Sequence, residues 1–273
     1  MLFTSLDEFF YNRRKVIKED WIGFLHNPPN VPPFVLSAMR PADTFSNIYF
    51  IKSLKFCKGV FVFSNYLRDH LLDEIQVNVP VCSLIHPTKG DVKFFSFSDY
   101  KLNKKKLILH IGYWLRNFSV FDSLISTNHI KVVLKIDNKS FYRFERQRCL
   151  ENNFNIINKS ISIFHLDEIL YDDILSKNVV FIYLYDSSVN NVILECIQRE
   201  TPIFVNPLPA VKEYLGDEYP LYYHNVSEVT IMLNNIDLIY AAHNYLKHRK
   251  SFLKLSKNAF LKQFINSEIY KKL

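Results

Sequence analysis

Glycine is scarce in this chain. Only Gly23, Gly59, Gly90, Gly112 and Gly216 occur among 273 residues, which excludes a G-x-G-x-x-G dinucleotide fingerprint and a Walker phosphate loop. Cysteine is scarce as well. Cys57, Cys82, Cys149 and Cys196 stand far apart inside apolar stretches. No spacing among them suits zinc, and a chain of this size needs no disulfide framework, so they read as buried thiols in a reducing compartment. A continuous apolar run of membrane-spanning length, about eighteen residues, is missing. The N-terminal MLFTSLDEFFYNRRK is acidic before it is basic and lacks a secretory apolar core. These absences predict a cytoplasmic protein. Metal-binding signals are missing too: no D-x-D motif follows a strand, and Asp172–Asp173 falls in an expected helix. No Ser-His-Asp or Cys-His arrangement is legible from spacing.

What is present is a core. Apolar residues make up 48% and aromatics 15%, which places the chain among globular proteins. The net charge of +7, from 34 basic against 27 acidic residues, is spread along the chain. A nucleic-acid footprint needs a concentrated basic stripe, so nucleic acid is not an expected partner. The charge suits phosphate-bearing small molecules or peripheral contact with an anionic membrane surface equally well.

The periodicity is that of an alternating α/β protein. Strands are expected at 21–25, 60–63 and 81–85, with helices over 43–55 and 66–74. The polar segment KGDVKFFSFSDYKLNKKK, from Lys89 to Lys106, has little periodicity and reads as a linker. After it, strands are expected at 107–111, 131–134, 160–164, 179–185 and 202–205, with a short last one at 221–223. A helix near 139–152 and a helical, basic C-terminal stretch from 227 onward complete the pattern. Short apolar runs separated by helical spacers predict a parallel sheet covered on both faces. The expected division is a reduced lobe over 1–95 and a complete Rossmann-like lobe over 96–273, the latter carrying the terminal helices.

The most informative stretch is DSSVNNVILECIQRETPIFVNPLPAVKEYLG, from Asp186 to Gly216. It follows an apolar run and reads as strand, polar loop, helix, strand. In open parallel sheets, ligands sit at such carboxyl-end loops, where free N–H groups at helix starts converge. Glu195 lies on the helix that the loop introduces, where a carboxylate can reach the two vicinal hydroxyls of a ribose.

The string L-E-C-I-x-R-x-T-P-I followed by E-Y-L-G resembles the donor-binding half of retaining GT-B glycosyltransferases, which use nucleotide-sugars. Leu194, Glu195, Thr201 and Pro202 fall on positions matching that family's L-E-A-x-A-x-G-x-P pattern, and the likeness runs from about Lys106 to the C-terminus. The resemblance implies two Rossmann-like lobes, a metal-independent transfer without a cofactor, and a nucleotide-sugar donor. Two positions depart from the pattern. The family's further glutamate, eight positions before the first, is Ser187 here, with Asp186 adjacent. The family's glycine before T-P is Glu200.

The resemblance also distributes roles. Gly112 and Arg116, in GYWLR after the strand LILHI, match the loop that meets the donor diphosphate, glycine for close approach and arginine for bidentate phosphate contact. The alternative for Arg116 is a solvated residue at a helix start. The family's second cation is missing after Arg116, and Lys135, ending the next expected strand, either replaces it or is merely solvated. Glu195 is a ribose ligand or a helix-surface carboxylate. Asn190 and Asn191 stand at the helix start, where they hold phosphate through backbone N–H groups or simply cap the helix. His26, in the proline-stiffened loop WIGFLHNPPNVPPF, matches a catalytic-side histidine near donor sugar or acceptor, or is a structural loop residue. His86 matches the point where the family's chain leaves the last strand of the first lobe and reads as a hinge cap, the loop of His165 matches where the nucleobase packs through backbone contacts, and Glu213 reads as bracing the loop after the last core strand, with ligand contact the alternative.

The function implied is transfer of a sugar from a nucleotide-sugar to a glycan, lipid or protein acceptor, as in polysaccharide biosynthesis. A non-catalytic subunit that keeps the fold is the alternative, favoured by Ser187 and the short first lobe. An isomerase on the related fold is a third. The first ~90 residues hold fewer strand–helix units than a GT-B N-terminal lobe, at about 30 residues per unit. Either the lobe is reduced or a further piece lies outside this chain. An unfinished sheet edge would then be covered by a partner chain or by self-association.

Overall fold

β-Branched and aromatic runs become the strands of two separate parallel sheets. The computed structural model describes residues 2–6, 15–33, 40–135, 162–165 and 168–273. They group into two units: Met1–Pro87 with Asp186–Val189 and Lys254–Leu273, and Thr88–Tyr185 with Asn190–Leu253. The expected helix near 139–152, and with it Cys149, lies outside the described residues.

In the first unit, β1 (Leu2–Ser5), β2 (Trp21–Phe24), β3 (Cys57–Val62) and β4 (Val81–Ser83) pair in that order, all parallel. Trp21, Ile22, Val60, Phe61 and Val62 are all fully buried, as strands covered on both faces require. β1 was not foreseen, because its pairing with residues around Trp21 is the main thing that makes it a strand. The single helix expected over 43–55 is broken at Asn47 into α1 (Pro41–Ser46) and α2 (Ile48–Ser53). The Asn47 side chain accepts the backbone N–H groups of Tyr49 and Phe50, capping the second helix. Ser64 caps α3 (Asn65–Asp69) through the Leu67 N–H in the same way.

The terminal helices, Lys257–Asn266 and Glu268–Lys271, group with this first unit although helical period alone assigned them to the second. Packing explains it. Ile269 is fully buried against β3, where a Cβ added to Gly59 would stand 2.6 Å from its side chain. The Phe264 ring lies 5.0 Å from that of Phe61, and the Gln263 side chain accepts the Ile85 N–H at 3.1 Å.

The second unit begins in the expected linker, which is not one. Phe95 and Tyr100 are buried, Ser96 caps α4 (Phe97–Leu102), and the Phe95 N–H donates to the Arg199 carbonyl. Apolar residues spaced through charged ones hid this helix. β5 (Leu107–Ile111), α5 (Phe118–Ser123), β6 (Ile130–Lys135), β7 (Ser162–His165), α6 (Glu168–Leu175), β8 (Val179–Phe181), α7 (Asn191–Arg199), β9 (Ile203–Phe204), α8 (Pro209–Leu215), α9 (Val226–Leu233) and α10 (Ile236–Phe252) follow. The strands lie in the order β7-β6-β5-β8-β9, all parallel. The expected last strand at 221–223 is only a parallel bridge between Tyr222 and Val205. The chain therefore winds outward from β5 in one direction and returns to β8 to wind in the other. Such a reversal opens a crevice at the strands' carboxyl ends, the switch point of doubly wound sheets.

Candidate functional site

The loop after β5 and the segment after β8 meet at this switch point. They are zipped together: Arg116 and Leu184 form an antiparallel bridge, the Asn117 N–H donates to the Tyr183 carbonyl, and the Tyr185 N–H donates to the Leu115 carbonyl. The buried Asn206 side chain holds the Leu184 backbone on both sides, accepting its N–H at 2.8 Å and donating to its carbonyl at 2.9 Å. In the same loop Leu115 is held at φ +54°, and Gly112 takes φ +79°, which glycine adopts freely. A non-glycine residue in that region costs about 1–2 kcal/mol per residue, and such strain persists where the surroundings over-determine it.

The loop presents Arg116. Its guanidinium lies flat over Gly112, so that a Cβ at 112 would stand 2.9 Å from Cζ. Arg116 is only 7% exposed. Nη1 donates to the Trp114 carbonyl at 2.8 Å and Nη2 reaches Asn190 Oδ1 at 3.4 Å, while Nε has no partner among the described residues. Burial pulls its pKa down to about 10, partly opposed by Tyr171 and Glu195. The side chain therefore stays charged at neutral pH, buried and incompletely compensated. Beneath it His110, on β5, is fully buried among Phe118 and Phe121. Burial, reinforced by the Arg116 charge, lowers the His110 pKa to about 3, so its ring is neutral.

α7 supplies the rest. Asn190 is its N-cap, its Oδ1 accepting from the Val192 and Ile193 N–H groups. The side chain is thus committed to capping, and what the helix start offers a ligand is backbone N–H near Asn191, which is exposed. Glu195, half-buried one turn on, accepts a hydrogen bond from the Tyr171 hydroxyl of α6. Burial, then Glu195, raises the Tyr171 pKa and keeps that phenol protonated. α7 ends at Glu200, a left-handed cap with φ +62°. The left-handed turn survives because Lys250 Nζ pairs with the Glu200 carboxylate at 2.9 Å and His243 Nδ1 meets its carbonyl at 2.9 Å. The following Thr201 hydroxyl donates to the Leu175 carbonyl at the end of α6.

The structure therefore brings together Gly112, Arg116, Asn190, Asn191 and Glu195 within the second unit. Lys135 is the last residue of β6, paired in register with His165 of β7, on the same edge of the sheet. His26 belongs to the first unit, its ring against Phe63 at 5.0 Å, with His86 on the same phenylalanine at 4.9 Å. Burial lowers the His86 pKa. The four residues Asp186–Val189 also group there. Asp186, 3% exposed, accepts the Asn30 N–H at 2.8 Å, the Tyr66 hydroxyl at 3.2 Å and the Ser187 N–H at 2.7 Å, and burial raises its carboxyl pKa. The Ser188 hydroxyl donates to the His26 carbonyl. His110, Tyr171 and Asn206 were missed by sequence reasoning. Only Asn206 carried a signal, as a polar residue closing the run PIFVN.

Among the described residues no group of three or more His, Cys, Asp or Glu is placed to hold a metal ion. None of the described helices is long and apolar enough to cross a membrane.

No family model matches this sequence, and no curated protein matches it by sequence. Solved structures match by shape. Sucrose-phosphate synthase from Thermosynechococcus elongatus superposes with a TM-score of 0.71 at 12% identity, over 93% of this chain and 67% of its own. TarM matches with a TM-score of 0.68 at 12% identity, over 98% of this chain and 54% of its own. HepE of Anabaena, in complex with UDP-glucose, matches with a TM-score of 0.66 at 9% identity, over 93% of this chain and 72% of its own. These are GT-B glycosyltransferases, and the fold of this chain is GT-B. The chain spans between about half and three quarters of their lengths.

Proposed function

We propose that this chain is a glycosyltransferase that takes a sugar from a nucleotide-sugar and passes it, without a metal, to a glycan, lipid or protein acceptor with retention of configuration. The observation that carries the reading is Arg116: a buried, charged guanidinium with an unpartnered Nε, held over a glycine at the switch point of a doubly wound sheet. An uncompensated cation in such a place is costly unless an anion completes it. A diphosphate would do so through charge-assisted, bidentate hydrogen bonds, and the same contacts would stabilise the charge that develops on the leaving nucleotide. Glu195 is assigned to the ribose hydroxyls, with Tyr171 fixing its carboxylate. The helix start at Asn190 and Asn191 adds backbone N–H groups, and Lys135 a second cation. His26 is assigned a hydrogen bond or proton in the transfer. The likeness to HepE, solved with UDP-glucose, supports a nucleotide-sugar donor.

A second reading, nucleotide binding without turnover, is favoured by Asp186. The carboxylate next to Ser187 is spent on three donors of its own unit, leaving no acidic side chain at the position where related transferases face the donor sugar. One assay separates the two: incubation with UDP-, GDP- and ADP-sugars while free nucleoside diphosphate is measured. Release from one donor, absent in Arg116→Ala, supports transfer. Binding of a nucleotide with no release from any sugar conjugate supports the second reading.

A further inference from the structure

The opposite end of β5 carries another concentration of positive charge. Lys104, Lys105 and Lys106 immediately precede β5, and Asn128 and His129 immediately precede β6. With Asn234, from the turn between α9 and α10, they line a cavity of about 520 Å³. Ligand pockets fall in this size range. The mouth lies at the amino ends of the strands, about 16 Å from Gly112 given the rise of a five-residue strand. It is therefore separate from the Arg116 site.

Three features make this a built site rather than a lysine-rich surface. First, its frame is fixed. The Ile130 N–H donates to the Lys106 carbonyl, Asn128 Nδ2 donates to Asn234 Oδ1 at 2.9 Å, and Lys106 Nζ donates to the Asn103 carbonyl at 2.9 Å. Second, among the described residues lining the cavity none is acidic, and Lys104 and Lys105 are exposed with no ion pair among the described residues. Third, His129 is 7% exposed, its Nε2 meets the Tyr100 hydroxyl at 2.9 Å, and its Nδ1 is buried with no partner among the described residues. When Tyr100 donates to Nε2, the ring proton sits on Nδ1, a buried donor with no acceptor in the described chain. Burial, then Lys106, lowers the His129 pKa to about 4, so the ring is neutral at neutral pH.

We propose that this cavity binds a phosphate-bearing ligand, with Lys104 and Lys105 supplying charge beside the neutral His129 ring that lines it. The phosphate belongs to a soluble ester or to the headgroup of an anionic lipid, and the test has an arm for each. Glucose 6-phosphate is titrated calorimetrically. In parallel the protein is sedimented with phosphatidylglycerol vesicles, phosphatidylcholine vesicles serving as control. One probe is expected to bind, and to bind about tenfold or more weakly in Lys104→Glu/Lys105→Glu, since hydrogen bonds to charged groups commonly carry that much. Both lysines are exposed, so the variant is expected to melt with wild type. In wild type the bound probe is also expected to move the His129 imidazole ¹⁵N resonances, a readout that needs no variant. Binding of neither probe would overturn the proposal. So would binding that survives the charge reversal without moving His129, or binding that disappears in Arg116→Ala, which would place the ligand at the other end of β5.

Discussion

The two sheets are built alike and wound differently. In the first unit the strands follow chain order, β1-β2-β3-β4, so successive crossovers advance in one direction. In the second the order β7-β6-β5-β8-β9 reverses at β5 and β8. Among the described residues, Asp186 and Arg116 are two buried charges, one in each unit, and they are treated in opposite ways. Asp186, grouped with the first sheet, is satisfied by three donors from its own unit. Arg116, at the reversal of the second, is left with an unpartnered Nε and no carboxylate pair among the described residues. A buried charge that the chain satisfies is a staple. One that the chain leaves open, where topology opens a crevice, is a place for a ligand of opposite sign.

The sharpest way to break this comparison is to remove each charge. Arg116→Ala is expected to weaken nucleoside diphosphate binding about 100-fold or more, the worth of two hydrogen bonds to a charged group, and to leave the melting temperature unchanged or higher. Calorimetric titration and a melting curve check both halves. Equal affinity in wild type and variant would remove Arg116 from the site. Asp186→Ala should do the reverse. It strands the Asn30 and Ser187 N–H groups, so chemical denaturation is expected to show a loss of about 2–3 kcal/mol, with nucleotide affinity held within about twofold. A stable variant with weakened binding would mean that Asp186 belongs to the ligand site.

His110 sharpens the comparison through pH. Its native pKa of about 3 lies below the ordinary 6.5, so below pH 6.5 the unfolded chain binds a proton that the native state refuses. Its contribution is present in full above pH 6.5 and is lost as pH falls toward 3, at about 1.4 kcal/mol per pH unit. Denaturation midpoints between pH 6 and 5 should therefore fall with acid, and fall less steeply in His110→Leu. An unchanged slope would show that the ring is protonated or solvated in the native state. The smallest effect is expected from Gly112→Ala. A Cβ there must displace the guanidinium at a φ of +79°, and nucleotide affinity should drop about tenfold, in line with 1–2 kcal/mol of strain. Unaltered affinity would mean that the guanidinium need not lie over residue 112.

Much of this was legible beforehand where physics is local. LILHI reads as a strand from its apolar run and is one, Leu107–Ile111. Asn190 reads as a phosphate contact or a helix cap, and its side chain caps α7. What was hidden depends on residues far apart in the chain. β1 exists through its pairing with β2, and Ile269 chooses its unit by finding the space over Gly59. The helix Phe97–Leu102 hides among lysines, since only burial of Phe95 and Tyr100 reveals which side is core. Arg116 became a candidate through the resemblance of GYWLR to a loop that meets a donor diphosphate. That its charge is buried, flat over a glycine and above a neutral histidine is tertiary information, which no spacing encodes.

At the reversal of the second sheet the proposed ligand is a nucleoside diphosphate. The most direct test is the melting temperature of the wild-type chain against UDP, GDP, ADP and CMP and their sugar conjugates. At 100 times its dissociation constant a ligand adds about 2.7 kcal/mol of stability. A clear rise is expected with the diphosphates of one base and none with the monophosphate CMP, because the contact proposed for Arg116 is with a diphosphate. No rise with any of them would contradict it.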